Sequence, residues 1–214
     1  MFKYIVADTH FEHKNILKYE PSRLIKAKEH KSNNIDRLII DNWNKRVTTD
    51  DTVLHLGDVA FKDGYKMAKI LQGNITLLVG NHDTQEHINF YKKLGWNIID
   101  TIIIDLDESI KQSALEHINI FYDEEILNHK LLNCIVTQIN NKKVLFSHFP
   151  LFNDNPYDKK YKMITNVLED LFVYLECDIN IHGHTHSKAA KEGFCKSACL
   201  ELNGFEVINI LRWI

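Results

Sequence analysis

The 214-residue sequence predicts an α/β fold, on three observations. Short apolar runs of strand length alternate with longer segments whose apolar residues recur at helical spacing. Several of the runs break at a turn residue. Carboxylates, imidazoles and an amide then follow within a few positions, at the rim where open α/β sheets bind ligands. One domain over 1–214 is the expectation, because domains usually hold about 100–200 residues. Neither a linker nor a repeat interrupts the chain.

Hydrophobic residues make up 44% and charged residues 26%, the ordinary balance of a soluble globular protein. A net charge of −3 argues against a broad basic surface for duplex DNA and leaves a local basic groove open. No apolar run approaches the roughly 18–20 residues that cross a bilayer. The N-terminal run, up to Asp8, is too short and too quickly acidic for a signal peptide. Cys134, Cys177, Cys195 and Cys199 lack zinc-finger spacing and read as plain thiols of a cytoplasmic protein.

Residues 2–7 read as the first strand, followed at once by Asp8-Thr9-His10, and residues 11–17 as a loop entering a short helix. Ile35, Leu38, Ile39 and Trp43 share one helical face, which predicts an amphipathic helix over 32–46 with Ser32 as its N-cap. A strand over 52–56 ends at Gly57-Asp58, and a helix from about residue 63 closes at Gly73. The strand 75–79 ends at Gly80-Asn81-His82-Asp83; a helix over 84–94 and a strand over 97–106 follow. Residues 105–130 mix short apolar runs with acidic residues at neither period, and read as extra strands or a small excursion inserted in the domain. Residues 131–139 and 143–146 flank Asn140-Asn141 as a hairpin, and its second strand ends at Ser147-His148. A polar loop over 151–162 precedes the clearest helical stripe, Ile164, Val167, Leu168, Leu171, Phe172 and Leu175. The strand 178–181 ends at His182-Gly183-His184-Thr185-His186, and the tail reads as a hairpin of 197–202 and 205–211 around Asn203-Gly204.

Five strand ends therefore carry Asp8 with His10, Asp58, Asn81-His82-Asp83, His148, and His184 with His186. Nitrogen and oxygen donors without thiolate suit manganese, iron, zinc, cobalt or nickel. The set exceeds what one ion uses and matches two ions sharing a carboxylate, the arrangement that clamps an in-line displacement at phosphorus.

These blocks, D-x-H, G-D, G-N-H-D, an isolated H and G-H-x-H in that order, resemble the calcineurin-like metallophosphoesterases, in particular small bacterial and phage members. The resemblance implies a four-layer α/β/β/α sandwich of two mixed sheets flanked by helices. It implies that Asp8, His10, Asp58 and His186 hold one divalent ion and that Asp58 bridges to a second, held also by Asn81, His148 and His184. Two transition-metal ions are expected, manganese first, with iron, zinc, nickel or cobalt open. His82 matches the histidine that contacts the phosphate and protonates the leaving oxygen, with Asp83 orienting it. The expected activity is hydrolysis of phosphate esters, diesters before monoesters, by in-line attack of a hydroxide between the metals. A nucleotide pyrophosphohydrolase or nuclease is the alternative within the family. A binding scaffold on the same fold is disfavoured because no ligand position is replaced. A small phosphate ester or nucleotide is the expected partner, ahead of long nucleic acid or a membrane.

Beside the first motif, His13 and Asn15 are expected to join Asn81 and His82 in touching substrate. His55 and His182 read as packed, supporting histidines rather than ligands. Lys14, Arg23, Lys159, Lys160 and Lys162 read as solvated charges around the rim, and His30, His87, His117 and His129 as surface residues.

Overall fold

The computed structural model describes residues 1–31, 34–152 and 156–214. Its ten strands form two five-stranded mixed sheets flanked by helices. The first has the order β10-β1-β2-β3-β4. In it, β1 (Tyr4–Val6), β2 (Thr52–His55), β3 (Asn74–Leu78) and β4 (Asn97–Ile99) run parallel, and β10 (Ile208–Asn209) pairs antiparallel with β1. The second has the order β5-β6-β7-β8-β9. Its members are β5 (Ile102–Asp105), β6 (Cys134–Ile139), β7 (Lys142–Ser147), β8 (Ile179–His182) and β9 (Cys195–Ser197), with β6 and β7 the antiparallel pair.

Strand side chains alternate between faces, and that period sorts the apolar residues into three layers. Ile5, Ala7, Leu54, Leu56 and Leu78 from the first sheet meet Ile135, Val144, Phe146, Ile179 and Ile181 from the second, so the sheets pack face to face. The alternate positions Val6, Val53, Ile75 and Leu77 face Leu38, Ile39 and Trp43 of α3 (Ile35–Arg46) and Tyr91 of α4 (Gln85–Lys93). On the far side, Val136 and Leu145 pack against Ala114 and Ile118 of α5 (Glu108–Phe121) and against Ile164, Leu168 and Leu171 of α7 (Lys162–Tyr174). Both faces of both sheets are covered, which is why most strands read as continuous apolar runs.

Several local expectations are corrected. The cap of α3 is Asn34, whose side chain accepts from the Asp36 and Arg37 amides; Ser32 lies outside the described residues. Residues 153–155 of the expected polar loop lie outside them too. The segment after Asp58 is a 3₁₀ helix, Lys62–Ile70. The run 97–106 is two strands, because Asp100-Thr101 carries the chain from one sheet to the other. Residues 105–130 form α5 and the short α6 (Glu124–Leu127) rather than strands. Exposed Ile110, Ile120 and Phe121 blur the stripe that buried Ala114 and Ile118 would otherwise make legible. Helix α2 (Pro21–Glu29) gave no signal, since its buried residues are only Arg23 and Ala27. Asn140 and Asn141 do make the tight turn, both at positive φ as a type I′ hairpin requires. The tail is no hairpin: β9 extends the second sheet, a 3₁₀ turn (Leu200–Asn203) ends at Gly204, and β10 crosses to the first sheet.

Candidate metal centre

The expected groups converge from β1, β2, β3, β7 and β8, just past their carboxyl ends. Asp8, His10, Asp58, His184 and His186 all sit at positive φ, each a backbone cost of order 1 kcal/mol that the packed loops sustain. Backbone bonds tie those loops together: Asp8 N to Gly57 O at 3.1 Å and His10 N to Asp58 O at 3.1 Å. Gly57, itself at φ +95°, and Gly80 abut so closely that a Cβ on either would strike the other's loop.

Two groups have their donor atoms within 4.8 Å of one another: Asp8, His10 and His186, and Asp8, Asp58 and His148. Asp8 Oδ1 stands 3.5 Å from His10 Nε2 and 3.9 Å from His186 Nε2. Asp58 Oδ2 stands 3.6 Å from His10 Nε2 and 3.7 Å from His148 Nε2. The remaining carboxylate oxygens are spent on orientation, with Asp8 Oδ2 accepting from His184 N at 2.8 Å and Asp58 Oδ1 from His82 N at 2.8 Å.

Whether these residues suit a cation is decided by their free atoms. Asp8 Oδ1 and both ring nitrogens of His10 are buried without a hydrogen-bond partner. Burial would raise the Asp8 and Asp58 pKa values, but the surrounding imidazoles hold both below the carboxylate range. Burial lowers those of His10 and His148. Ionised Asp8 and Asp58 with neutral His10 and His148 are the protonation states that a metal requires, while His186, its pKa raised to about 9 beside Glu201, would release a proton on binding one. His148 Nδ1 donates to Leu56 O at 2.7 Å, which leaves Nε2 an acceptor facing the acceptor Asn81 Oδ1 at 3.0 Å. Two lone pairs aimed at each other are repulsive until a cation lies between them. The donor set therefore fits divalent metal.

A model of the calcineurin-like phosphoesterase superfamily domain matches residues 1–203. The chain belongs to this superfamily. An uncharacterised protein of Methanocaldococcus jannaschii is 34% identical over 85 residues, 37% of this chain and 46% of that one, so the match spans less than half of the relative. A protein of unknown function from Aquifex aeolicus has the same fold at 23% identity, with a TM-score of 0.64 over 98% of this chain and 95% of that one. A novel archaeal phosphodiesterase aligns with a TM-score of 0.45 at 18% identity, over 99% and 94% of the two chains.

Within this phosphoesterase domain the other expected residues are placed less uniformly. His184 lies outside both donor groups, its Nε2 being 3.0 Å from Asp158 Oδ1. His82 keeps its ring 43% exposed, with Nε2 4.0 Å from Asp58 Oδ2. The hydrogen bonds of Asp83 run to backbone amides and not to the His82 ring. The Asp83 carboxylate accepts from the Asp58, Val59 and Gly80 amides at 2.8, 3.1 and 2.9 Å, and so fastens the β2 loop to the β3 loop. Burial and the Asp58 charge push its pKa up to about 7. His13 lies near His10, with centroids 5.2 Å apart and the rings tilted by 42°, whereas Asn15 is exposed at the start of α1 (Ile16–Tyr19) and lines neither recess beside His82. His55 Nδ1 accepts from Gly57 N, which leaves Nε2–H for the Thr9 hydroxyl at 3.0 Å; it supports the loops as expected.

Sequence reasoning missed Arg23, Glu201 and Cys199. Arg23 is fully buried rather than solvated; it donates to the carbonyls of Asp8 and Thr9 at 2.6 and 2.9 Å and to Glu201 Oε1 at 2.7 Å. Cys199 Sγ–H meets Asp8 Oδ2 at 3.3 Å. All four cysteines are free and buried. His87 is buried too, against the surface expectation. Among the described residues no helix is long and apolar enough to cross a membrane.

Proposed function

We propose that the protein is a dinuclear-metal phosphodiesterase. The observation that carries the reading is the pair of donor groups sharing Asp8, with Asp58 Oδ2 placed between His10 and His148. In this reading Asp8, His10, Asp58 and His186 hold one ion, and Asp58, Asn81, His148 and His184 a second, with manganese the first choice. Bound there, the ions would supply Lewis acidity, lowering the pKa of water toward neutrality and offsetting charge on the phosphoryl oxygens.

The chain's own residues do the rest. Asp8 and Asp58 bring negative charge that two divalent ions exceed, so the pocket favours an anionic phosphate. His82 is tied to Asp58 through its backbone amide, while its ring stays outside the donor groups and open to solvent. That placement suits an imidazole that donates its proton to the leaving oxygen. Diesters are favoured because two recesses, about 570 and 480 Å³, meet at His82, room for two organic arms.

The direct test is hydrolysis of bis(p-nitrophenyl) phosphate against p-nitrophenyl phosphate with added Mn²⁺ after chelation. Turnover of the diester that depends on metal is expected. No turnover of either ester with any divalent ion would sink the enzyme reading.

A further inference from the structure

The two recesses beside His82 differ in chemistry. The larger opens over Asp58, His184 and His186 and carries Lys188 and Lys191. The smaller lies on the other flank, beyond Asn81, and its walls are Phe61, Tyr65 and His87. His82 is the residue they share. Both volumes fall within the span of small-molecule sites, roughly 300–1,000 Å³.

We infer that the smaller recess seats a nucleobase, so that the substrates are phosphodiesters with a nucleoside on one arm. The inference rests on the phosphodiesterase reading and names its substrate class.

Three properties of the recess carry it. Its walls are aromatic. Tyr65 lies 5.0 Å from the His87 ring, and half-buried Phe61 lies 6.3 Å from His82 with the two rings steeply inclined. Flat rings are the surfaces on which bases stack whatever their sequence.

Its charge is balanced. Lys62, Asp63 and Glu86 all line it; Asp63 pairs with Lys66 at 2.7 Å and Glu86 takes the Tyr65 hydroxyl at 3.1 Å. Such a recess offers a second phosphate nothing, while a neutral ring loses little by entering it.

It also has polar points for a base edge. Asn81 and Thr84 line it with polar side chains. The Thr84 hydroxyl accepts from His87 N at 3.3 Å and keeps its own proton to give.

The wall is also fixed relative to the metal loop. Phe61 N donates to Phe11 O at 2.8 Å, and Phe61 stacks on His13 with centroids 4.5 Å apart. Gly64 lies against the Phe11 carbonyl with no room for a Cβ. A base held there is thus held at a set distance from His10 and His82.

The test compares thymidine 5′-(p-nitrophenyl) phosphate with its abasic analogue, which has the same leaving group and the same chemistry at phosphorus. With Mn²⁺, kcat/KM should favour the thymidine ester at least about fivefold, the lower bound that base stacking supplies. Phe61→Leu should abolish the preference, read as the ratio of kcat/KM for the two esters on the same variant, and Phe61→Tyr should keep it. Equal rates for the two esters, or a preference that survives Phe61→Leu, would overturn the inference and leave the phosphodiesterase reading intact. Failure to hydrolyse either ester with any metal would instead overturn the phosphodiesterase reading and the inference together.

Discussion

The carboxylate of Glu201 meets Nδ1 of His186 at 3.1 Å, and the same oxygen receives Nε of Arg23 at 2.7 Å. Residues far apart in the chain are thereby fixed to one donor of the metal centre. The bond to Nδ1 leaves Nε2 of His186 to face Asp8, and it raises the His186 pKa to about 9 against the opposing effect of burial. A carboxylate behind a ligating histidine fixes its ring and raises its basicity. Glu201→Gln should weaken divalent-metal affinity by roughly 10- to 100-fold and, by stranding the buried Arg23 charge, should also lower the thermal midpoint of the metal-free protein. Calorimetric titration with Mn²⁺ beside a melt of the apo form checks both halves. Unchanged affinity would leave Glu201 a packing residue.

Arg23 makes a separate prediction about stability. Its guanidinium spans Glu201 and the carbonyls of Asp8 and Thr9, with both charged side chains fully buried. Removing one partner of a buried ion pair strands the other charge and costs about 3–5 kcal/mol. Arg23→Met should lose that much in urea unfolding, and Arg23→Met with Glu201→Gln should recover part of it. A loss below about 1 kcal/mol in the single variant would contradict the burial argument.

The metal-facing groups were legible because each follows an apolar strand at once, so a local pattern marks a position in space. The bracing groups were not. Arg23 lies on a helix whose buried face is an arginine and an alanine, a pattern that reads as a solvated surface. Glu201 lies in the tail, 15 residues beyond His186, and nothing local links the two. Asp83 was expected to serve the neighbouring histidine, and the structure shows its carboxylate on three backbone amides instead. Adjacency in sequence suggested His82, whereas the turn aims the carboxylate back at three amides. The strands were readable for the same local reason, and α5 was not, because its exposed apolar residues hide the buried ones.

Away from the site, Asp51 gives a pH dependence. It accepts from Lys3 Nζ at 2.6 Å and from the Thr48 amide and hydroxyl at 2.8 and 2.9 Å, and these bonds lower its pKa to about 2. A carboxylate depressed in the folded state stabilises fully above its unfolded value near 3.8 and loses that contribution as pH falls through about 2. The stability difference between the native protein and Asp51→Asn should therefore be largest above pH 4 and shrink steadily toward pH 2. Urea midpoints measured at four pH values would show this; a difference constant with pH would contradict it.

The proton carrier can be separated from the metal site. The His82 ring lies outside both donor groups, so His82→Ala should leave metal content at the native level. It should lower kcat by roughly 10²- to 10⁴-fold for esters with poor leaving groups and far less for p-nitrophenyl esters, whose leaving oxygen needs no proton. An equal loss across leaving groups would reduce His82 to a phosphate contact.

Asp83 tests the structural reassignment most sharply. Three amide donors converge on its carboxylate, and one of them belongs to Asp58, the carboxylate proposed to bridge the ions. Asparagine is nearly the same shape but must present an N–H to one or two of the three donors, so Asp83→Asn leaves at least one buried amide unsatisfied. That should cost about 1–3 kcal/mol in unfolding and, by loosening the Asp58 backbone, should weaken metal binding as well. An aspartate that merely aligned His82 would behave differently. Its amide variant would keep native stability and metal content and would lose rate only on poor leaving groups, as His82→Ala does. Measuring unfolding, Mn²⁺ affinity and leaving-group dependence on Asp83→Asn distinguishes a clamp on two loops from an orienting partner.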